Sequence, residues 1–301
     1  MIRATTGTRR GLERMDDDLE HLRIALVGAG RVGTAVAVLL HARGHSIVGV
    51  SSRSETSARR AADRLDSQLI TPESWPDADV VLIGVPDQVI ESVADSLASN
   101  VAAPTVVVHF AGSLGLEPLR AVADKGCGVC ALHPMQACPD VDTAVRRLPG
   151  SAWGLTCSES LEEWAARLVA EHLNGVPVPV AESDRSRWHA AAVITSNGVA
   201  ALMATGESIL ESIGVEHPEL VLGPLAAGTV ANAVEGGGGG ATLTGPVVRG
   251  EAATLQRHLA ALNEGEAAVY GLVSLLILEA ARRTGRISDE AFRALSERLD
   301  R

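Results

Sequence analysis

The sequence predicts an α/β domain built on a parallel sheet, followed by an all-helical domain. Three observations carry this. Short apolar runs alternate with amphipathic stretches from Arg23 onward, a G-x-G-x-x-G follows the first run, and Ala-rich stretches with few β-branched clusters take over after Val180. A chain of 301 residues suits two domains, because single cores stop growing near about 250 to 300 residues. The expected division is a disordered leader over 1–21, an α/β domain over 22–180 and a helical domain over 181–301.

The leader carries Arg3, Arg9, Arg10 and Arg14 but lacks the apolar centre of a secretory signal, and Met15 offers a second start. Ile24 to Val27, Ser46 to Val50, Val80 to Val85, Thr105 to His109 and Val129 to Leu132 read as strands. They are continuous rather than alternating, as strands buried on both faces should be. Thr34 to Ala42, Thr56 to Leu65, Val89 to Leu97 and Leu116 to Ala123 read as the helices between them, which completes a βαβ rhythm. Beyond Val180, helices are predicted over Asp184 to Ile213, Glu219 to Val234, Ala252 to Ala261, Gly265 to Thr284 and Ser288 to Leu299. The last opens on Ser288 with Asp289 and Glu290 in its first turn, although Ala291 leaves the capping box incomplete. Gly236 to Gly240 is read as a flexible connector.

Composition excludes several partners. The net charge of −11 argues against nucleic acid, whose binding rests on clustered Lys and Arg. The apolar runs fall short of the roughly 20 residues that span a bilayer, so no membrane partner is expected. Four cysteines are too few for a disulfide framework in a chain of this size, which fits a reducing cytoplasm. Cys127 and Cys130 form a C-x-x-C, but on a strand residues three apart point to opposite faces, so no metal or redox pair is expected there.

Gly28-Ala29-Gly30-Arg31-Val32-Gly33 directly follows the first strand and opens a helix. In that context the first glycine permits the tight turn, the second lets the backbone approach a pyrophosphate and the third allows close helix-to-strand packing. The α/β domain is therefore read as a Rossmann domain that binds a dinucleotide. An NAD-binding unit usually places an acid about 20 residues on, at the end of the second strand. Here Ser51, Ser52 and Arg53 stand at that point, followed by Ser54. Hydroxyls and a guanidinium suit a 2′-phosphate, so NADP is preferred to NAD; the other reading is a solvated loop. Ligands of open α/β sheets bind beyond the carboxyl ends of strands. Gly84, Val85, Pro86 and Asp87, and then His109 to Ser113 with Gly112, are expected to line the nicotinamide side. His109 and His133 each end an apolar run, as a ligand contact or as a hydrogen-bonded strand-end histidine.

Four stretches resemble the 6-phosphogluconate dehydrogenase superfamily, which includes ketopantoate reductase and pyrroline-5-carboxylate reductase. They are the Gly28 to Gly33 loop, Leu132-His133-Pro134-Met135-Gln136, Trp188-His189-Ala190-Ala191-Ala192 through Ser196-Asn197, and Leu243 to Glu251. More narrowly the pattern looks like the Rossmann-like proteins whose helical C-terminal domain was long left without a function. The resemblance covers nearly the whole chain. It implies hydride transfer from NAD(P)H, a second-domain helix facing the nicotinamide, and dimers built through the helical domain. Several superfamily members place a lysine four residues before the helix asparagine, where this chain has Val193, so their proton donor does not carry over.

On a helix of about 3.6 residues per turn His189, Val193 and Ser196 fall within about 60° of one another, and Asn197 within about 80° of His189. Reducing a carbonyl or imine needs a group that polarises the acceptor and delivers a proton. His189 is the candidate acid, with Ser196 and Asn197 holding the substrate and His133 as the alternative donor; otherwise these polar groups serve neighbouring backbone. Arg249 can hold a substrate carboxylate, or it can simply pair with Glu251 near a helix start. Only 2% of the residues are aromatic, which favours a small anionic substrate. The sequence thus predicts an NADPH-dependent reductase of a small 2-oxo or imino acid, with ketopantoate the first to test. The rival readings are an NADP-binding sensor or scaffold without turnover and, less favoured, a methyltransferase or other nucleotide-binding Rossmann domain.

Overall fold

The computed structural model describes residues 19–299. Expectations for residues 1–18, Met15 included, lie outside the described residues. The chain divides into two compact units, one running to Ser196 and the other starting at Asn197.

The first unit is built on a seven-stranded sheet: β1 (Arg23–Val27), β2 (Ser46–Ser51), β3 (Val80–Ile83), β4 (Val106–His109), β5 (Gly128–Pro134), β6 (Ala152–Cys157) and β7 (Val176–Pro179). Their order is β2-β1-β3-β4-β5-β6-β7. The strand order reverses at β1, which pairs in parallel with β2 on one side and β3 on the other; this is the switch point where open sheets bind ligands. The sequence VVLI of β3 and VVVH of β4 are buried along their whole length. Helices cover both faces, among them α1 (Arg31–His41), α2 (Glu55–Arg64), α3 (Ile90–Leu97), α4 (Arg120–Ala123), α5 (Val141–Arg147) and α6 (Glu162–Arg167). One core cluster gathers Leu26, Val36, Leu82, Leu132, Trp153 and Trp164, and a second gathers Val81, Ile83, Ile90, Val107 and Leu119.

Three expectations need correction. The sheet is not wholly parallel, because β6 returns antiparallel beside β5, with Cys130 opposite Cys157 and His133 opposite Gly154; β6 and β7, two strands not read from the sequence, lie within the expected α/β region. The leader ends sooner than residue 21, since Leu19 is already buried in the first core cluster. The glycine run is only partly a connector: Gly237 and Gly238 take positive φ, but Gly239 and Gly240 open a turn of helix. Cys127, just before β5, packs in the second core cluster and Cys130 in the first. Burial pushes the Cys127 thiol up to about 11 and raises that of Cys130 as well.

α7 (Arg185–Ser212) leaves the first unit and continues into the second, which also holds α8 (Pro218–Glu235), α9 (Gly239–Thr242), α10 (Ala252–Ala261), α11 (Glu264–Arg283) and α12 (Asp289–Leu299). α11 is opened by a capping box between Asn263 and Glu266, and α12 by the Ser288 hydroxyl accepting the Ala291 N–H at 3.2 Å. The second unit's own core is small, centred on Val247, Leu255, Leu278 and Leu295.

Candidate active site

The glycine loop is shaped by Gly84 at the end of β3. Gly30 N–H donates to the Gly84 carbonyl at 3.0 Å, and Gly28 N–H to the Ser51 carbonyl at 2.7 Å. Gly28 has φ +89°, a Cβ on Gly33 would lie 2.8 Å from Gly84 Cα, and a Cβ on Gly30 would overlap the Gly84 oxygen. No side chain caps α1 and no acid stands in its first turn, so its N-terminal N–H groups and dipole are open to an anion. These features fit a pyrophosphate.

At the end of β2, Ser51 lines a cavity of about 160 Å³ together with Val27, Ile70, Thr71 and Trp75. Arg53 is exposed and makes no ion pair among the described residues, while the Ser54 hydroxyl caps α2. Arg31 reaches across to the Pro139 carbonyl at 3.2 Å. Val85 packs against Gly28, and Pro86 and Asp87 lead into a short 3₁₀ turn.

A second cluster forms where the first turns of α7 meet the ends of β4, β5 and β6. The rings of His133 and His189 stand edge to face with centroids 5.2 Å apart. Trp188 Nε1–H donates to His133 Nδ1 at 3.0 Å, so neutral His133 carries its proton on Nε2. Burial first, then His189 and Arg185, pull His133 down to about 4, which keeps it neutral at pH 7. His189 packs on Gly112, where a Cβ would strike its ring, and its Nδ1 is buried without a hydrogen-bond partner. Trp188 lies as closely on Gly154, whose Cβ would be 2.7 Å from the indole.

His109 is not a ligand contact. Its ring is 0% exposed; Nδ1 accepts the Ala111 N–H at 3.1 Å and Nε2 donates to the Gly115 carbonyl at 2.8 Å. With both nitrogens engaged by backbone, the imidazole shapes the loop after β4 and offers nothing to a cofactor.

Two family models match this chain. Residues 12–134 match a Rossmann-like domain and residues 151–277 match a domain of unknown function, DUF2520. No curated protein matches the sequence. Among solved structures, protein TM1727 of Thermotoga maritima is 26% identical with a TM-score of 0.70, over 87% of this chain and 99% of that one. An imine reductase of Myxococcus stipitatus in complex with NADP+ is 17% identical with a TM-score of 0.63, over 91% and 99%. A pyrroline-5-carboxylate reductase of Coxiella burnetii is 18% identical with a TM-score of 0.57, over 93% and 97%. The last two share the fold.

The DUF2520 match takes in β6, the Trp188-His189 pair and the Leu243 to Glu251 segment. Ser196 ends the first unit and Asn197 begins the second, and both are exposed. In the second unit Gly245 and Gly250 take positive φ around a turn that presents Arg249, whose Nε donates to Glu251 Oε1 at 2.5 Å on the surface. His258 Nδ1 meets the Tyr270 hydroxyl at 2.7 Å. The sequence reading did not single out Arg185, which is buried beneath the histidine cluster. The signal was its spacing: residues three and four before Trp188 and His189 share one helix face. Among the described residues no group of three or more His, Cys, Asp or Glu is placed to hold a metal, and no helix is long and apolar enough to cross a membrane.

Proposed function

We propose that the protein is an NADPH-dependent reductase of a small 2-oxo or imino acid. The observation that carries this reading is the His133–His189 pair at the carboxyl edge of the sheet that also bears the glycine loop. Three strand spacings, about 14 Å, separate β1 from β5, a span that a dinucleotide can bridge. The bound cofactor would supply the hydride. His189 delivers the proton to the carbonyl oxygen or imine nitrogen, and the Nε2–H of neutral His133 polarises that acceptor by hydrogen bonding. With His189 Nδ1 turned onto Gly112 and buried, Nε2 is the nitrogen left to deliver the proton. Ser196 and Asn197 are assigned to holding the substrate, and Arg249 carries the planar fork that suits a carboxylate.

NADP is preferred because β2 ends in Ser51-Ser52-Arg53 with no acid there, and Arg53 is free for a 2′-phosphate. Val193, exposed at the position of the superfamily lysine, leaves the histidines as the proton source. A reducing cytoplasm is the assigned compartment, since four cysteines are too few for a disulfide framework in a chain of this size. The helical unit is assigned to a homodimer on the strength of the apolar residues it exposes.

The test is NADPH oxidation, followed by absorbance, against a panel of small 2-oxo acids and cyclic imines including ketopantoate, with NADH in parallel. Turnover with one member, lost in His189→Ala and Asn197→Ala, is the expected result. NADPH binding in a thermal shift without any turnover would replace this reading with that of a sensor.

A further inference from the structure

Arg185 opens α7 and is 1% exposed. Among the described residues no carboxylate lies within ion-pair distance of it; Asp87 and Glu182 act on it only from further away, and Cys157, His109 and His133 are its other titratable neighbours. Every hydrogen bond it makes goes to a main-chain carbonyl. Nε donates to Leu114 at 3.0 Å, Nη1 to Gly154 at 3.0 Å and Ala131 at 3.3 Å, and Nη2 to Ala111. Burial lowers its pKa to about 10, so it is charged at pH 7. A buried ion costs several kcal/mol in desolvation, and an apolar residue of similar volume is often as stable or more so. A guanidinium at this place therefore calls for a reason beyond stability.

The identity of the four carbonyls supplies one. Ala111 and Leu114 flank Gly112, the floor on which His189 rests. Ala131 precedes His133 by two residues on β5 and so shares its face. Gly154 is the residue opposite His133 across β5 and β6, and it lies under Trp188. One planar fork thus ties together the loop, the strand and the strand neighbour that set both rings, from the same helix face that carries Trp188 and His189.

We propose that Arg185 is the positioning residue of this site, acting through His133 and His189. The proposal rests on the reductase reading for its effect on turnover but not for its effect on ring geometry. Lysine would keep the charge and lose the fork, because an ammonium cannot reproduce four bonds in a plane.

The experiment compares wild type, Arg185→Lys and Arg185→Met, with histidines isotopically labelled for NMR and no ligand present. In wild type His133 is the Nε2–H tautomer and shows a cross-relaxation peak to the His189 ring. In Arg185→Lys, folded by circular dichroism, that peak is lost and His133 populates both tautomers. With the substrate found by the panel, kcat falls by about 10- to 100-fold, while the KM for NADPH stays within about twofold. A folded variant, Lys or Met, that retains both wild-type histidine signatures overturns the proposal, whatever its melting temperature. So does unfolding of both variants, which makes Arg185 a stability residue, and so does a wild type lacking the His133 tautomer or the ring contact. Loss of the signatures in a protein that reduces nothing on the panel leaves the positioning role standing and removes the reductase reading.

Discussion

At Gly112 the ring of His189 fills the space a Cβ would take, and its Nδ1 is buried there unpaired. Such a group costs about 1 to 3 kcal/mol. Gly112→Ala should therefore displace His189 while leaving the Gly28 to Gly33 loop intact. The expected outcome is a kcat lower by about 10- to 100-fold; a variant with wild-type kcat would show that His189 does not act from this position. The glycines of the cofactor loop were legible because their spacing follows from backbone geometry alone. Arg185 showed only its helix spacing to Trp188 and His189, because its partners are carbonyls of residues 31 to 74 positions away, and a carbonyl leaves no mark in the sequence. His109 left two readings open for the same reason: a strand-end histidine bonded to Ala111 and Gly115 backbone looks, in one dimension, like a ligand contact.

The elements divide along similar lines. β3 and β4 could be read directly, since burial on both faces demands an uninterrupted apolar run, and α10 keeps the bounds its periodicity gave, Ala252–Ala261. β6 and β7 were missed for reasons written in their residues. β6 reads AWGLTC, with a glycine at the position that Trp188 covers, and β7 reads VPVP, a composition tolerated only where ladder N–H groups are dispensable, as at a sheet edge. The antiparallel return between β5 and β6 shapes the candidate site, because it brings Gly154 opposite His133 and so gives Trp188 a surface from which to reach the imidazole. The DUF2520 match begins at residue 151, at the start of this return, so the matched segment supplies the strand beneath the indole as well as the helix that carries it.

Across the whole molecule two physical quantities follow from these contacts. His45 and His109 are fully buried, and each is pulled down to about 4, desolvation being the main cause, with His172 and His21 adding to it at His45. In the unfolded chain both titrate near about 6.5. Below that pH the unfolded state binds protons the folded state refuses, so stability is level above about pH 6.5 and falls from there toward pH 4. The slope reaches about 1.4 kcal/mol per pH unit for each histidine. Urea midpoints at pH 7.5 and pH 5 measure this, and a midpoint as high at pH 5 would refute it. The second quantity is association. The helical unit has a four-residue core centre yet exposes apolar side chains one turn apart on two helices: Val221 and Leu225 on α8, and Leu272 and Leu276 on α11. Leu225 is 67% and Leu276 70% exposed, and stripes of this kind on a unit with so little interior are stable only when covered. A second copy is the partner present wherever the chain is made, and its contribution to stability scales with protomer concentration. Light scattering should therefore give twice the chain mass of 31.2 kDa, and Val221→Glu with Leu225→Glu should reduce it to one chain and lower the melting temperature. A wild type that stays at the mass of one chain at micromolar concentration would mean that another molecule covers these helices.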